Sequence, residues 1–85
     1  MIAIISGASS GIGREFAYQI DNKNYDEIWL IARRYKRLVE VRDNLKTPTK
    51  ILALDLLDEK SFFIIENELK ETSNKIGLLI NSAGM

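Results

Sequence analysis

The chain has 85 residues, enough for one small domain, and a chain this short buries only about 60–65% of the surface that its unfolded form exposes. Its hydrophobic content of 46% suits a packed α/β domain, and twelve basic residues balance twelve acidic ones, so no global field points to nucleic acid or to an anionic membrane. Neither cysteine nor histidine occurs, which excludes disulfides, thiolate or imidazole metal sites and the commonest neutral-pH base, and fits a reducing, cytoplasmic setting.

Residues 2–6 (IAIIS) form a short apolar run that ends at glycine. The pattern predicts a strand buried on both faces, as in a parallel sheet. The run is too short for the core of a secretory leader and has no basic segment before it. No stretch approaches the roughly 20 apolar residues of a membrane span. From Gly11 the period becomes helical. Ile12, Phe16 and Ile20 recur at four-residue steps with Ala17 beside them, so they are expected to face the core, while Arg14, Glu15 and Gln19 face away. Residues 21–24 stop this helix. Residues 27–32 (EIWLIA) read as the second strand. Residues 34–46 are expected to be helical, with Leu38, Val41 and Leu45 on one stripe. Thr47-Pro48 ends that helix, because a residue before proline is pushed out of the α region. Residues 50–55 (KILALD) read as strand three. Asp58 is placed to cap a third helix carrying Phe62, Ile65 and Leu69. Residues 75–81 (KIGLLIN) read as strand four. Strands alternating with helices predict a parallel sheet with right-handed crossovers. The connections are short, so no lid or inserted domain fits between them.

Gly7, Gly11 and Gly13 stand in the spacing G-x-x-x-G-x-G, after a strand and opening a helix. Gly7 permits a sharp turn. Gly11 lets a phosphate approach the backbone. Gly13 lets the helix lie close to the sheet. The free N–H groups and partial positive charge of a helix start suit a pyrophosphate. Ser6, Ser9 and Ser10 add hydroxyls. A plain glycine- and serine-rich turn would share this composition.

The segment SGASSGIG resembles the T-G-x-x-x-G-x-G cofactor loop of the short-chain dehydrogenase/reductase family. Asp55-Leu56 is similar to that family's acidic adenine contact. Asn81-Ser82-Ala83-Gly84 is similar to its N-N-A-G motif. The three motifs stand in the family's order across all 85 residues. The resemblance implies a Rossmann-type β-α-β-α-β-α-β fold with strand order 3-2-1-4. It implies that residues 1–85 are the N-terminal dinucleotide-binding segment of a carbonyl or alcohol oxidoreductase. The implied cofactor-binding residues are Gly7, Ser9, Ser10, Gly11, Ile12, Gly13, Arg33, Arg34, Asp55, Leu56, Asn81, Ala83 and Gly84. Three residues depart from the pattern. Ser6 replaces threonine and keeps a hydroxyl. Ser82 replaces an asparagine, leaving one amide fewer to tie strand four to its neighbours. Gly77 stands where relatives often carry aspartate, which weakens strand propensity slightly.

An NAD site places a carboxylate at the end of strand two, about 20 residues past the glycines. Here that corner reads Ala32-Arg33-Arg34. It offers no acceptor for a 2′-hydroxyl and two guanidinium groups for a 2′-phosphate. One charge-assisted hydrogen bond of about 1.5–3 kcal/mol corresponds to a preference of roughly 10- to 150-fold. NADP is therefore expected over NAD, with Arg33 first and Arg34 and Arg14 behind it. Solvated surface arginines are the alternative.

The family's chemistry uses a serine and a Y-x-x-x-K pair that lie after strand four. Tyr18, Tyr25 and Tyr35 are followed four residues later by Asn22, Trp29 and Val39. None fits, so no catalytic residue is assigned and the chain alone is expected to be inactive. With one helix on its second face and an apolar edge strand, the chain is expected to self-associate or to belong to a longer chain. A non-catalytic NADP-binding or sensor module, or a self-associating half-domain, is the alternative function.

Overall fold

The computed structural model describes residues 1–9 and 11–82. Along the chain run β1 (Ile2–Ser6), α1 (Gly11–Ile20), β2 (Glu27–Ala32), α2 (Tyr35–Asp43), β3 (Thr49–Ala53), α3 (Glu59–Glu71) and β4 (Ile76–Asn81). The strands form one sheet in the order β3-β2-β1-β4, and every pairing is parallel. β1 lies in the middle and all five of its residues are buried, as its unbroken apolar run requires. Ile4 registers with Trp29 on one side and Leu79 on the other.

Alternation along β1 and β2 divides the core into two layers. Ala3, Ile5, Ile28 and Leu30 pack with Ala17 and Ile20 of α1 and Leu38 and Val41 of α2. Ile2, Ile4, Trp29, Ile31 and Leu52 face the other way, where Ile65 and Leu69 of α3 pack on them. Two helices thus cover one face and a single helix covers the other. This is the arrangement of a Rossmann-type sheet in the order 3-2-1-4.

Three local expectations are corrected. On α1 the buried face is Gly13, Ala17 and Ile20, whereas Ile12 and Phe16 are solvent-exposed. Small residues face the sheet because the helix lies too close to it for larger ones. α2 ends at Asp43 rather than Lys46. Asn44 caps it, donating its backbone N–H to the Val41 carbonyl and its side-chain amide to the Glu40 carbonyl. Asp21, just past α1, then accepts the Lys46 and Thr47 N–H groups, and the Thr47 hydroxyl donates to the Asp21 carbonyl. These bonds draw the chain out of helical geometry before Pro48 is reached. On α3, Phe62 is exposed while Ile65 and Leu69 are half-buried. Asp58 caps the helix as its position predicts, accepting the Lys60 N–H.

Gly77 in β4 has a packing role. A Cβ there would come within 2.8 Å of the Met1 sulfur and 3.2 Å of the Tyr25 ring. The Met1 side chain covers the start of β4, and its amine pairs with Asp26.

Candidate functional site

The carboxyl ends of β1, β2 and β4 and the loop after β3 surround one cleft of about 960 Å³. Ligands of open α/β sheets bind at this end of the strands, where the strand order reverses. The reversal here falls between β1, whose chain continues toward β2, and β4.

The floor of the cleft is the turn from β1 to α1. Gly7 and Gly11 both adopt positive φ, 71° and 60°, the left-handed region that glycine enters without steric cost. The Gly7 and Ala8 N–H groups both donate to the Ile31 carbonyl, at 2.8 and 3.3 Å, so the turn is anchored on β2. Ala8 is wholly buried beneath it. A Cβ on Gly11 would meet open space. A Cβ on Gly13 would overlap the Gly7 carbonyl and come within 2.5 Å of Ser82 Oγ. Gly11 thus leaves room on the cleft side, and Gly13 permits the close approach of α1 to the strand ends.

The β4 end closes one wall. The Ser6 hydroxyl donates to Asn81 Oδ1 at 2.8 Å. The Ser82 hydroxyl donates to the Ser6 carbonyl at 2.6 Å and reaches the Gly7 carbonyl at 3.2 Å. The Ser82 N–H also donates to the Ser6 carbonyl. An asparagine amide is absent at this position, yet the smaller hydroxyl makes the tie between β4 and the turn.

The opposite wall follows β3. Asp55 lies two residues beyond that strand rather than closing it, in a loop held by its own hydrogen bonds. Its Oδ1 accepts the Leu57 N–H at 2.9 Å, and its carbonyl accepts the Ser61 hydroxyl at 2.6 Å. The Leu54 N–H donates to the Ala32 carbonyl, which brings this loop beside the β2 corner. At that corner Arg33 and Arg34 are exposed.

Gly7, Ser9, Gly11, Ile12, Gly13, Arg33, Arg34, Asp55, Leu56 and Asn81 all line this one cleft. Ser10, Ala83 and Gly84 lie outside the described residues. Arg14 is exposed on α1 and is not part of the lining. Arg37, Leu57 and Phe62, to which sequence reading assigned no part in it, line it too, as does Ser82 from the motif that begins at Asn81. Arg37 carried a usable signal, since it lies one helical turn beyond Arg34.

Chemically, the cleft combines glycines, whose backbone no side chain covers, and a hydroxyl at one helix start with guanidinium groups at the next. A carboxylate stands on the far wall. Such a surface suits an elongated ligand with phosphates toward the turn and a polar, partly apolar group toward Asp55 and Leu56. Among the described residues no group of three or more acidic side chains is placed to hold a metal ion. No helix among them is long and apolar enough to cross a membrane.

A protein-family profile described as short chain dehydrogenase matches residues 1–85. Sulfoacetaldehyde reductase 2 of Chromohalobacter salexigens is 34% identical over 86 residues, which cover 99% of this chain and 34% of that protein. A very-long-chain 3-oxoacyl-CoA reductase of Yarrowia lipolytica is 34% identical over 89 residues, covering 98% of this chain and 22% of the relative. Among solved structures, a short-chain dehydrogenase from Sphingobium yanoikuyae in complex with NADPH superimposes with a TM-score of 0.80 at 34% identity. That alignment covers 99% of this chain and 34% of the other. The chain therefore spans about a third or less of the length of these relatives.

Proposed function

Because this chain belongs to the short-chain dehydrogenase family, we propose that it forms the adenosine and pyrophosphate half of a nicotinamide dinucleotide site, specific for NADP. The observation that carries the reading is the shared cleft. The glycine turn, the arginine corner and Asp55 come from separate parts of the sequence and line one cavity. The residues present fit the cofactor. Gly11 has open space where a phosphate would approach, and the β2 corner offers Arg33 and Arg34 where an NAD site has a carboxylate. The NADPH bound to the Sphingobium yanoikuyae relative supports the same reading.

In this arrangement the Gly7–Gly13 turn and the Ser9 hydroxyl hold the pyrophosphate. Arg33 and Arg34 take the 2′-phosphate, Asp55 and Leu56 contact the adenine, and Asn81 lines the path toward the nicotinamide. Ile12 shields the phosphates from one side. The bound cofactor would supply hydride transfer, the chemistry of a carbonyl or alcohol oxidoreductase. This chain's residues bind and orient the dinucleotide. None of its tyrosines stands in the Y-x-x-x-K spacing of a proton donor.

Thermal-shift titrations with NADPH and NADH test the proposal. NADPH is expected to stabilise the chain more. Arg33→Ala is expected to weaken NADPH binding about 10- to 150-fold and to change NADH binding little. Greater stabilisation by NADH would overturn the NADP assignment.

A further inference from the structure

The start of α2 is charged against itself. Residues 33–37 read Arg-Arg-Tyr-Lys-Arg, four cations in five positions. They sit at the positive end of the helix dipole, where acidic side chains are the favourable choice, yet the first turn contains none. Arg34 occupies the N-cap position and makes no side-chain capping bond. The ion pairs found among the described residues join Met1 to Asp26, Arg42 to Asp43 and Lys50 to Glu68. None neutralises Arg33, Arg34 or Arg37. A local conflict of this kind marks a functional surface when a ligand can resolve it. Here the cleft names the side: Arg33, Arg34 and Arg37 line it and Lys36 does not. Arg34 is the N-cap and Arg37 stands in the first turn of α2, and both line the cleft.

We propose that Arg37 is the third arm of an arginine clamp for the 2′-phosphate, and that this dianion relieves the repulsion at the start of α2. The inference rests on the dinucleotide reading given above. A 2′-phosphate carries close to two negative charges and three acceptor oxygens, more than one guanidinium can satisfy. Arg33 and Arg34 belong to the strand-to-helix corner, whereas Arg37 stands on the first turn of the helix itself. It can therefore meet the phosphate from a side the corner does not supply.

Calorimetric titration of the chain with 2′,5′-ADP and with 5′-ADP isolates the 2′-phosphate. The parent chain is expected to prefer 2′,5′-ADP. Arg37→Gln is expected to weaken 2′,5′-ADP about tenfold, corresponding to one lost charge-assisted bond, and to change 5′-ADP less than about twofold. Arg37→Lys should recover part of the loss, because it restores the charge without the planar fork. If Arg37→Gln binds 2′,5′-ADP as the parent does while the parent keeps its preference, the clamp is refuted and the NADP reading stands. If the parent shows no preference, both fall. Ligand-free Arg37→Glu is expected to melt at or above the parent temperature. A lower melting temperature would assign Arg37 to the fold instead and overturn the inference.

Discussion

Gly13 couples three parts of the molecule at a single Cα. It belongs to α1, faces the Gly7 carbonyl at the end of β1, and lies against the Ser82 hydroxyl just past β4. That hydroxyl already bonds the Ser6 and Gly7 carbonyls. A methyl group at residue 13 must push α1 outward or break those bonds. Gly13→Ala is therefore expected to cost about 1–3 kcal/mol, the usual penalty of forcing volume into a packed contact. Urea denaturation should show a lower midpoint and dinucleotide titration a weaker complex. Gly11→Ala is the informative comparison. Its Cβ would enter open space, so only the positive φ opposes it, at about 1–2 kcal/mol. A Gly13→Ala variant as stable as the parent would show that the tight contact at Gly13 is not real. The need for Gly13 was readable from its place in the glycine spacing. The role of Ser82 was not, because the carbonyls it bonds lie 76 and 75 residues away in sequence.

Among the elements, α1 and α2 show how tertiary contacts edit a periodic pattern. Ile12, Phe16 and Ile20 satisfy a four-residue repeat, yet the helix is turned so that Gly13, Ala17 and Ile20 meet β1. Close packing selects the small residues and leaves Ile12 facing the cleft. The Asp21 carboxylate links the end of α1 to the segment between α2 and β3. Partial burial pushes its pKa up, but the Lys46 and Thr47 N–H groups, the Thr47 hydroxyl and the Lys46 charge outweigh this, and the carboxyl is held below its ordinary value. A carboxyl lowered in the folded state binds protons less readily than in the unfolded chain. Its contribution is complete above the unfolded value of about 4 and is lost as pH falls through the lower folded value. Asp21→Asn is expected to cost about 1–2 kcal/mol at neutral pH, because the charged acceptor is lost from two backbone N–H groups. Denaturation series at pH 7 and near pH 2.5 check this. The gap between parent and variant should close at the acid end, and a gap independent of pH would remove Asp21 from this role.

For the whole molecule, the sheet order sets both the site and the exposed surface. Placing β4 beside β1 brings Asn81 and Ser82 to the glycine turn and makes β4 an edge of the four-stranded sheet. α3 covers its face only in part. Leu79 is 65% exposed and Ile76 46%, beside Ile65 and Leu69 along an apolar groove of about 240 Å³. Unpaired apolar edges promote association. The isolated 85-residue chain is therefore expected to form oligomers at micromolar concentration, with Leu79→Lys shifting it toward monomer. Light scattering of parent and variant provides the check, and a parent that stays monomeric with a cooperative melt would contradict it.

The sequence by itself determined the alternation of strands and helices, the parallel sheet and the glycine-dense turn at the first strand end. It also determined the absence of a carboxylate at Ala32-Arg33-Arg34. Each of these depends on residues that are neighbours in the chain, where period, turn chemistry and charge act locally. The tertiary structure alone decided which side of α1 meets the sheet and where α2 stops. It alone brought Ser82 to the Gly7 carbonyl and Arg37 to the same cleft as Asp55. Those outcomes depend on distances between segments tens of residues apart, which the order β3-β2-β1-β4 and the close approach at Gly13 set together.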